Sequence, residues 1–311
     1  MSRVTPDQIR EMKARGERIP MLTAYDYPTA QILDAAGVPI MLVGDTLGMV
    51  VLGHPSTLPV TVDAIIHHAQ AVVRGSQHAL IVADLPFGSF QVSPEETMRS
   101  AIRIMKEAGP QAVKLEGGRR VAASVRALTE AGIPVMGHLG LTPQSVNVTG
   151  GFKVQGKTER AARALLEDAA ALEEAGAFAI VLELVPAELA RLVTERVSVP
   201  TIGIGAGPYC DGEVQVIYDI MGMFSDFTPR HTRHFAELGA AMREGVQAYV
   251  AEVRERTFPT AAQSAKIDPA VIATLRAEFG ETSAPEAAGQ AEEQTAGSQG
   301  DGHAPPKSTK K

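Results

Sequence analysis

Four short hydrophobic runs in this chain each end on a carboxylate. The runs are IMLVGD, ALIVAD, AVKLE and AIVLE, and they end at Asp45, Asp84, Glu116 and Glu183. Short runs of this composition are typical of strands that are buried on both faces of a parallel sheet. Parallel strands bring their carboxyl ends to one edge of the sheet, where α/β proteins place their active sites. We therefore expect the four acids to line one pocket.

The alternation of strand and helix patterns favours a closed barrel. Glycine follows several helices in the phrase Ala-Gly-hydrophobic, which supplies a left-handed cap before the next strand. Seven or eight such units over about 250 residues match a (βα)₈ TIM barrel better than an open doubly wound sheet. Periodicity alone does not reveal closure, so the open sheet remains the alternative. Strands are predicted at 20–24, 40–44, 80–83, 112–115, 134–138, 178–182 and 200–204, with a weaker eighth at 214–218.

Three regions are predicted along the chain. A barrel domain covers 1–267 and starts with a helix capped by Thr5, and a short amphipathic helix follows at 268–280. The last region, 281–311, has no Val, Ile, Leu, Met or aromatic residue, so we expect a disordered tail.

Composition excludes several classes of protein. The net charge of −7 offers no basic footprint for nucleic acid. The single Cys210 allows no internal disulfide and has no activating base nearby in the sequence. No secretory signal is recognisable, and no apolar run approaches the length of about 18 residues that spans a bilayer. We expect a cytoplasmic protein.

The acids at the predicted strand ends favour a magnesium site. Asp45, Asp84 and Glu116 would supply three hard oxygen ligands, whereas the chain has no Cys and His cluster with zinc spacing. The alternative is that single acids cap the helices that follow them. Helix capping accounts for the presence of any single acid at a strand end as well as metal binding does. It accounts less well for acids at all of these strand ends.

Two further side chains are candidates for this pocket. Lys114 lies two residues before Glu116 and should face the same side of its strand. A buried lysine needs a partner, which is either Glu116 in a structural ion pair or an anionic group of the substrate. His138 ends the fifth predicted strand, as a satisfied core residue or as a substrate contact. The long segments 46–59 and 140–157 should cover the site.

Several long motifs resemble those of the ketopantoate (3-methyl-2-oxobutanoate) hydroxymethyltransferase family. The resemblance runs from the first helix to about Pro259 and rests on LVGDTLGMVVLGHPSTLPVT, ADLPFGSF, VKLEGG, GHLGLTPQSVNVTGGFKVQG, VLELVP and IGIGAG. It implies a barrel of the phosphoenolpyruvate/pyruvate type, Mg²⁺ and a homodecamer. The implied reaction transfers a hydroxymethyl group from 5,10-methylenetetrahydrofolate to 3-methyl-2-oxobutanoate and gives 2-dehydropantoate for pantothenate biosynthesis.

The resemblance also implies roles for individual residues. Asp45 and Asp84 match the direct metal ligands, and Glu116 matches a ligand that binds directly or through water. The positions that bind the 2-oxo acid are Asp45, Thr46, Asp84 and Lys114, where Thr46 replaces the serine of some relatives. Glu183 matches the proton acceptor.

Two rival functions stay open from the sequence. One is another metal-dependent lyase or carboligase of the same barrel group that acts on 2-oxo acids. Such enzymes carry a catalytic cysteine in a Lys-Lys/Arg-Cys-Gly-His loop, which this chain lacks. The other rival is a catalytically silent barrel used for binding, which would have no reason to keep so costly a group of buried charges.

Overall fold

Eight parallel strands close into a barrel in chain order, with the first strand paired to the last. The computed structural model describes residues 3–223 and 229–280. The predicted tail at 281–311 lies outside the described residues. The strands are β1 (Ile19–Thr23), β2 (Ile40–Val43), β3 (Leu80–Asp84), β4 (Ala112–Glu116), β5 (Val135–Gly140), β6 (Ala179–Glu183), β7 (Thr201–Ile204) and β8 (Gly212–Gln215).

Closure of the sheet confirms the TIM barrel and excludes the open doubly wound alternative. The prediction for the eighth strand was wrong in position, because β8 ends at Gln215 and a short helix occupies Ile217–Ile220. Gly212 opens β8 although glycine disfavours strands. A Cβ atom at this position would lie 2.2 Å from the carbonyl oxygen of Ile19. Close packing against β1 therefore requires a residue that gives no strand signal in the sequence.

Helices separate most of the strands along the chain, and further helices follow the last strand. Polar residues precede many of them and accept hydrogen bonds from the first helical turn, as Thr5, Thr61, Ser93 and Thr158 do. The helices are α1 (Pro6–Ala14), α2 (Tyr27–Ala35), α3 (Leu47–Val50), α4 (Val62–Gly75), α5 (Pro94–Ala108), α6 (Ala122–Glu130), α7 (Val146–Thr149), α8 (Glu159–Glu174), α9 (Ala187–Arg196), α10 (Ile217–Ile220), α11 (Leu238–Glu255) and α12 (Pro269–Phe279).

The side chains of each strand alternate between two hydrophobic cores. One core lies between the sheet and its helices. The other fills the barrel and includes Ile9 of α1, which packs at the amino end. Leu80 and Val82 of β3 belong to the inner core, as does Ala112 of β4. Because side chains two residues apart share a face, the same rows continue to Asp84 and Lys114 at the carboxyl end.

The described residues form two compact units that divide after Ala241. The first unit contains the barrel. In the second unit, the rings of Tyr249 and Phe258 contact each other with centroids 5.9 Å apart, and Asp268 caps α12. Among the described helices, none combines the length and apolar content that a membrane span requires.

Candidate active site

A pocket opens at the carboxyl end of the barrel, where the charged ends of the inner rows meet. Apolar residues, acids, a lysine, a histidine and three uncharged polar residues line it. The lining residues are Thr23, Leu42, Asp45, Thr46, Asp84, Lys114, Glu116, His138, Pro143, Val181, Glu183, Ile204, Val214, Gln215 and Val216. Every site residue predicted from the sequence lies in this pocket.

Lys114 and Asp84 form a buried ion pair across β4 and β3. The two residues are register partners, and Lys114 Nζ lies 2.8 Å from Asp84 Oδ1. Burial acts to lower the pKa of Lys114, but Asp84, Asp45 and Glu116 together raise it above its ordinary value. Lys114 is therefore an ammonium ion. The alternative in which Glu116 alone neutralises Lys114 was wrong, because cross-strand register brings Asp84 closer than a neighbour on the same strand.

Asp45 lies one residue beyond a glycine that follows β2. Its backbone N–H donates to Asp84 Oδ2 over 3.0 Å, and its own Oδ2 accepts a hydrogen bond of 2.8 Å from Gln144 Nε2. Burial and the charge of Asp84 raise the pKa of Asp45 to about 7. Two carboxylates so close in a buried place resist being ionised together.

Glu116 occupies the end of β4. Its Oε2 accepts a hydrogen bond of 3.1 Å from the backbone N–H of Gln144. Burial and the charge of Asp45 raise the pKa of Glu116 well above its ordinary value. The alternative in which Asp45 and Glu116 cap the helices that follow them was wrong. Those helical segments have Thr46 and Gly118 as their N-caps, and neither has a side-chain cap hydrogen bond.

His138 lies between Lys114 and Glu183. The contact between Lys114 Nζ and His138 Nδ1 is 3.4 Å long, and since a lysine can only donate, Nδ1 is the acceptor and the ring proton is on Nε2. His138 Nε2 has no hydrogen-bond partner among the described residues, although Glu183 Oε2 is 3.1 Å away. Burial and the charge of Lys114 lower the pKa of His138 well below its ordinary value. A neutral imidazole with a free N–H group therefore faces Glu183.

Glu183 ends β6, which is three strands along the barrel from β3 and its last residue, Asp84. Burial raises its pKa to about 7, against the opposing charges of Lys114 and His231. A carboxyl group with this pKa can take up and release a proton near neutral pH.

The backbone around Glu183 is held tightly. Its carbonyl oxygen accepts a hydrogen bond of 2.8 Å from Leu141 N. Gly140 approaches so closely that a Cβ atom there would lie 2.1 Å from this oxygen. The next residue, Leu184, has a positive φ of 46° and donates its N–H to Ile204 O over 2.9 Å. A backbone conformation that is uncommon for a residue with a side chain therefore lies immediately after the acid.

Sequence reasoning missed several residues at this site. Gln144 contacts two of the acids, and His231 faces Glu183. Thr23 and Gln215 line the pocket from the strands that flank the point of closure. Gln144 stands inside the motif LTPQS, but a single glutamine in a loop gives no signal of burial.

The donor set was compared with the Mg²⁺ that the resemblance implies. In residues 3–223 and 229–280, no three His, Cys, Asp or Glu side chains converge as a ready-made ligand cage. Mg²⁺ does not require such a cage, because it usually takes one or two carboxylates and completes its shell with water and substrate oxygens. The crowding that raises the pKa of Asp45 and Glu116 is what a divalent cation would relieve. The residues fit magnesium.

Comparison with known protein sequences identifies the same family that the motifs resemble. The model of the family described as ketopantoate hydroxymethyltransferase matches residues 3–261. A 3-methyl-2-oxobutanoate hydroxymethyltransferase of Dehalococcoides mccartyi is 58% identical over 88% of this chain and 97% of its own length. The enzyme of the same name from Chloroflexus aurantiacus is 57% identical over 87% of this chain and 96% of its own length.

Solved structures share the fold at low sequence identity. Phosphonopyruvate hydrolase in complex with oxalate and Mg²⁺ superposes with a TM-score of 0.55 and 12% identity over 88% of this chain and 95% of its own. A 2,3-dimethylmalate lyase of the PEP mutase/isocitrate lyase superfamily gives a TM-score of 0.51 and 16% identity over 88% of this chain and 98% of its own. These structures share the fold alone, whereas the family model over residues 3–261 and the identities of 58% and 57% to the two named enzymes show the family. The chain belongs to the ketopantoate hydroxymethyltransferase family.

Proposed function

We propose that this protein transfers a hydroxymethyl group from 5,10-methylenetetrahydrofolate to 3-methyl-2-oxobutanoate. The product would be 2-dehydropantoate, for pantothenate biosynthesis. The observation that carries the proposal is a pocket in which one buried ammonium group, Lys114, lies among carboxylates, in a chain that belongs to this family. Such a pocket suits a small substrate with a carboxylate and a keto group at one end.

The substrate's two ends match two parts of the pocket. Lys114 would hold the anionic end of the 2-oxo acid, with the backbone and hydroxyl of Thr46 beside it. Leu42, Val181 and Ile204 give an apolar surface for the isopropyl group. This division fixes the substrate in one orientation, since the charged end would lose its partners if it were reversed.

Asp45 and Asp84 would hold Mg²⁺ directly, and Glu116 would hold it directly or through a water molecule. When bound, Mg²⁺ supplies a Lewis acid that polarises the keto oxygen and stabilises negative charge on it. Lys114 adds a fixed positive charge to the same end of the substrate.

Glu183 would remove the proton from C3. It lies in the pocket beside His138, at the end of a different strand from the proposed metal ligands, so its carboxylate is available as a base. His138, neutral and with its Nε2–H group free, would donate a hydrogen bond to the substrate or to Glu183. The resulting enolate carbon would form a bond to the methylene carbon carried by folate. A water molecule would supply the hydroxyl oxygen, and both carbon–nitrogen bonds of the methylene group would break, so that tetrahydrofolate leaves with the proton taken from C3 and one proton from water.

The segments 46–59 and 140–157 would shape the folate site. Thr46 and Pro143, one from each segment, line the pocket and support this proposal. We also propose a cytoplasmic homodecamer on the family resemblance, and light scattering coupled to size-exclusion chromatography tests the assembly.

The activity is tested with purified protein, Mg²⁺, 3-methyl-2-oxobutanoate and 5,10-methylenetetrahydrofolate. Mass spectrometry should detect 2-dehydropantoate, and chelation of Mg²⁺ should stop its formation. Lys114→Met should abolish activity, whereas Lys106→Met, at an exposed position on α5, should not. Cleavage of a 2-oxo acid without folate, and no 2-dehydropantoate, would instead favour the lyase alternative.

A further inference from the structure

Gln144 connects two of the acidic residues to the loops around them. It lies in the short 3₁₀ helix Pro143–Ser145 after β5, and only 6% of its surface is exposed. Its side-chain nitrogen donates to Asp45 Oδ2 over 2.8 Å and to the carbonyl oxygen of Leu85 over 3.0 Å. Its backbone N–H donates to Glu116 Oε2 over 3.1 Å. One residue thus contacts the segments that follow β2 and β3 and the last residue of β4.

The orientation of the Gln144 amide is determined by its neighbours. The carbonyl of Leu85 can only accept, so the amide nitrogen must face it. On the other side, Gln144 Oε1 accepts a hydrogen bond of 3.0 Å from Gln91 Nε2. Gln91 is oriented in turn, because its Oε1 accepts from the backbone N–H of Gly88 over 2.7 Å. A backbone carbonyl, which can only accept, and a backbone N–H group, which can only donate, therefore determine the orientation of the Gln144 and Gln91 amides.

This arrangement has a consequence for Asp45. Its Oδ2 is held by Gln144, which turns the carboxylate so that Oδ1 is the oxygen left for another partner. Glu116 Oε2 is held by the same residue through its backbone. The relative placement of the two acids then depends on the position of Gln144 rather than on their own rotamers.

We propose that Gln144 is a positioning residue that orients Asp45 and Glu116 toward a divalent cation, and that Gln91 keeps Gln144 in the required orientation. The proposal rests on the magnesium site of the proposed function. Groups that orient metal ligands typically change metal affinity by about 10- to 100-fold when they are removed. Gln144→Met keeps the length of the side chain and removes every hydrogen bond that the amide makes.

The test measures binding of Mn²⁺, as a paramagnetic probe, by electron paramagnetic resonance in the absence of both substrates. Gln144→Met should weaken Mn²⁺ binding about 10- to 100-fold. Gln91→Met changes an exposed residue, so it should fold normally and weaken binding by a smaller factor. Gln111→Met is the matched control, because within residues 3–223 and 229–280 the Gln111 side chain bonds only to the backbone of Ile81 and Gly109. It should leave Mn²⁺ affinity unchanged.

A purely structural role for Gln144 would lower the thermal midpoint without a specific loss of Mn²⁺ affinity. If Gln144→Met and Gln91→Met both bind Mn²⁺ as tightly as the wild type, the positioning role is wrong while the metal site stands. If the wild type binds no Mn²⁺, the metal site itself is wrong and the positioning role falls with it. Should Gln144→Met not fold, Gln91→Met decides the question alone.

Discussion

Replacing Glu183 with glutamine should stop exchange of the C3 proton of 3-methyl-2-oxobutanoate with solvent. An amide cannot accept this proton, and loss of a positioned base typically costs about 10²- to 10⁴-fold in rate. The assay follows deuterium incorporation by ¹H NMR, with saturating Mg²⁺ and without folate. Because folate is absent, the measurement isolates proton removal from the later transfer step.

The raised pKa of Glu183 adds a second quantity to the same experiment. With a pKa of about 7, half of the Glu183 side chains carry the base at pH 7. At pH 5.5 only about one in thirty would do so, since the ionised fraction falls about tenfold for each further pH unit. Exchange by the wild type should therefore rise with pH, reach half of its maximum near pH 7 and level off above about pH 8.

Glu213 provides a matched control for this prediction. Burial raises the pKa of this β8 carboxyl to about 7 as well, and Gln215 donates a hydrogen bond to it. It does not line the pocket. Glu213→Gln should leave both the exchange rate and its pH dependence unchanged. A Glu183→Gln variant that keeps more than a tenth of the rate, or a flat wild-type profile from pH 5.5 to 8, would refute the assignment of the base.

Three further predictions concern residues around the barrel. Asp34 accepts hydrogen bonds from the backbone N–H groups of residues 77–79, which, against the opposing effect of burial, lower its pKa to about 2. The Asp34 carboxylate therefore stabilises the fold fully at pH values above its ordinary pKa of 3.8. At pH 7, Asp34→Asn should lower the free energy of unfolding, measured with urea, by about 2 kcal/mol. This difference between variant and wild type should disappear as the pH falls toward 2. Cys210 is 1% exposed, and burial raises its pKa to about 11. At pH 8 the native protein should therefore not react with a thiol reagent until urea unfolds it. Rapid reaction of the native protein would show that the thiol is accessible. Gly140→Ala should reduce proton exchange more than tenfold, because its Cβ atom would collide with the carbonyl oxygen of Glu183. Gly132 has a similar φ and open space around it, so Gly132→Ala should lower stability without slowing exchange. Equal exchange rates in the two variants would show that Gly140 does not position Glu183.

Seven of the residues that line the pocket could be predicted from the sequence, namely Asp45, Thr46, Asp84, Lys114, Glu116, His138 and Glu183. Strand patterns and side-chain alternation are local properties, and alternation alone carries Lys114 and Glu116 to the barrel interior. Partners were harder to predict. The ion pair of Lys114 with Asp84 depends on the register between β3 and β4, which no single segment encodes. Gln144 was missed for the same reason, since its contacts join loops that are distant in the chain.

The inner rows of β3 and β4 carry apolar residues at one end and the reactive groups at the other, on the same side of each strand. Inserting or deleting a single residue within such a strand would turn the whole row outward toward the helices. The acids would then lie in the hydrophobic core between the sheet and its helices, and the apolar residues would no longer fill the barrel. The lengths of these strands are therefore fixed by chemistry as well as by folding. New specificities in this scaffold can arise by exchanging residues at the strand tips or by altering the loops, but not by lengthening the strands one residue at a time.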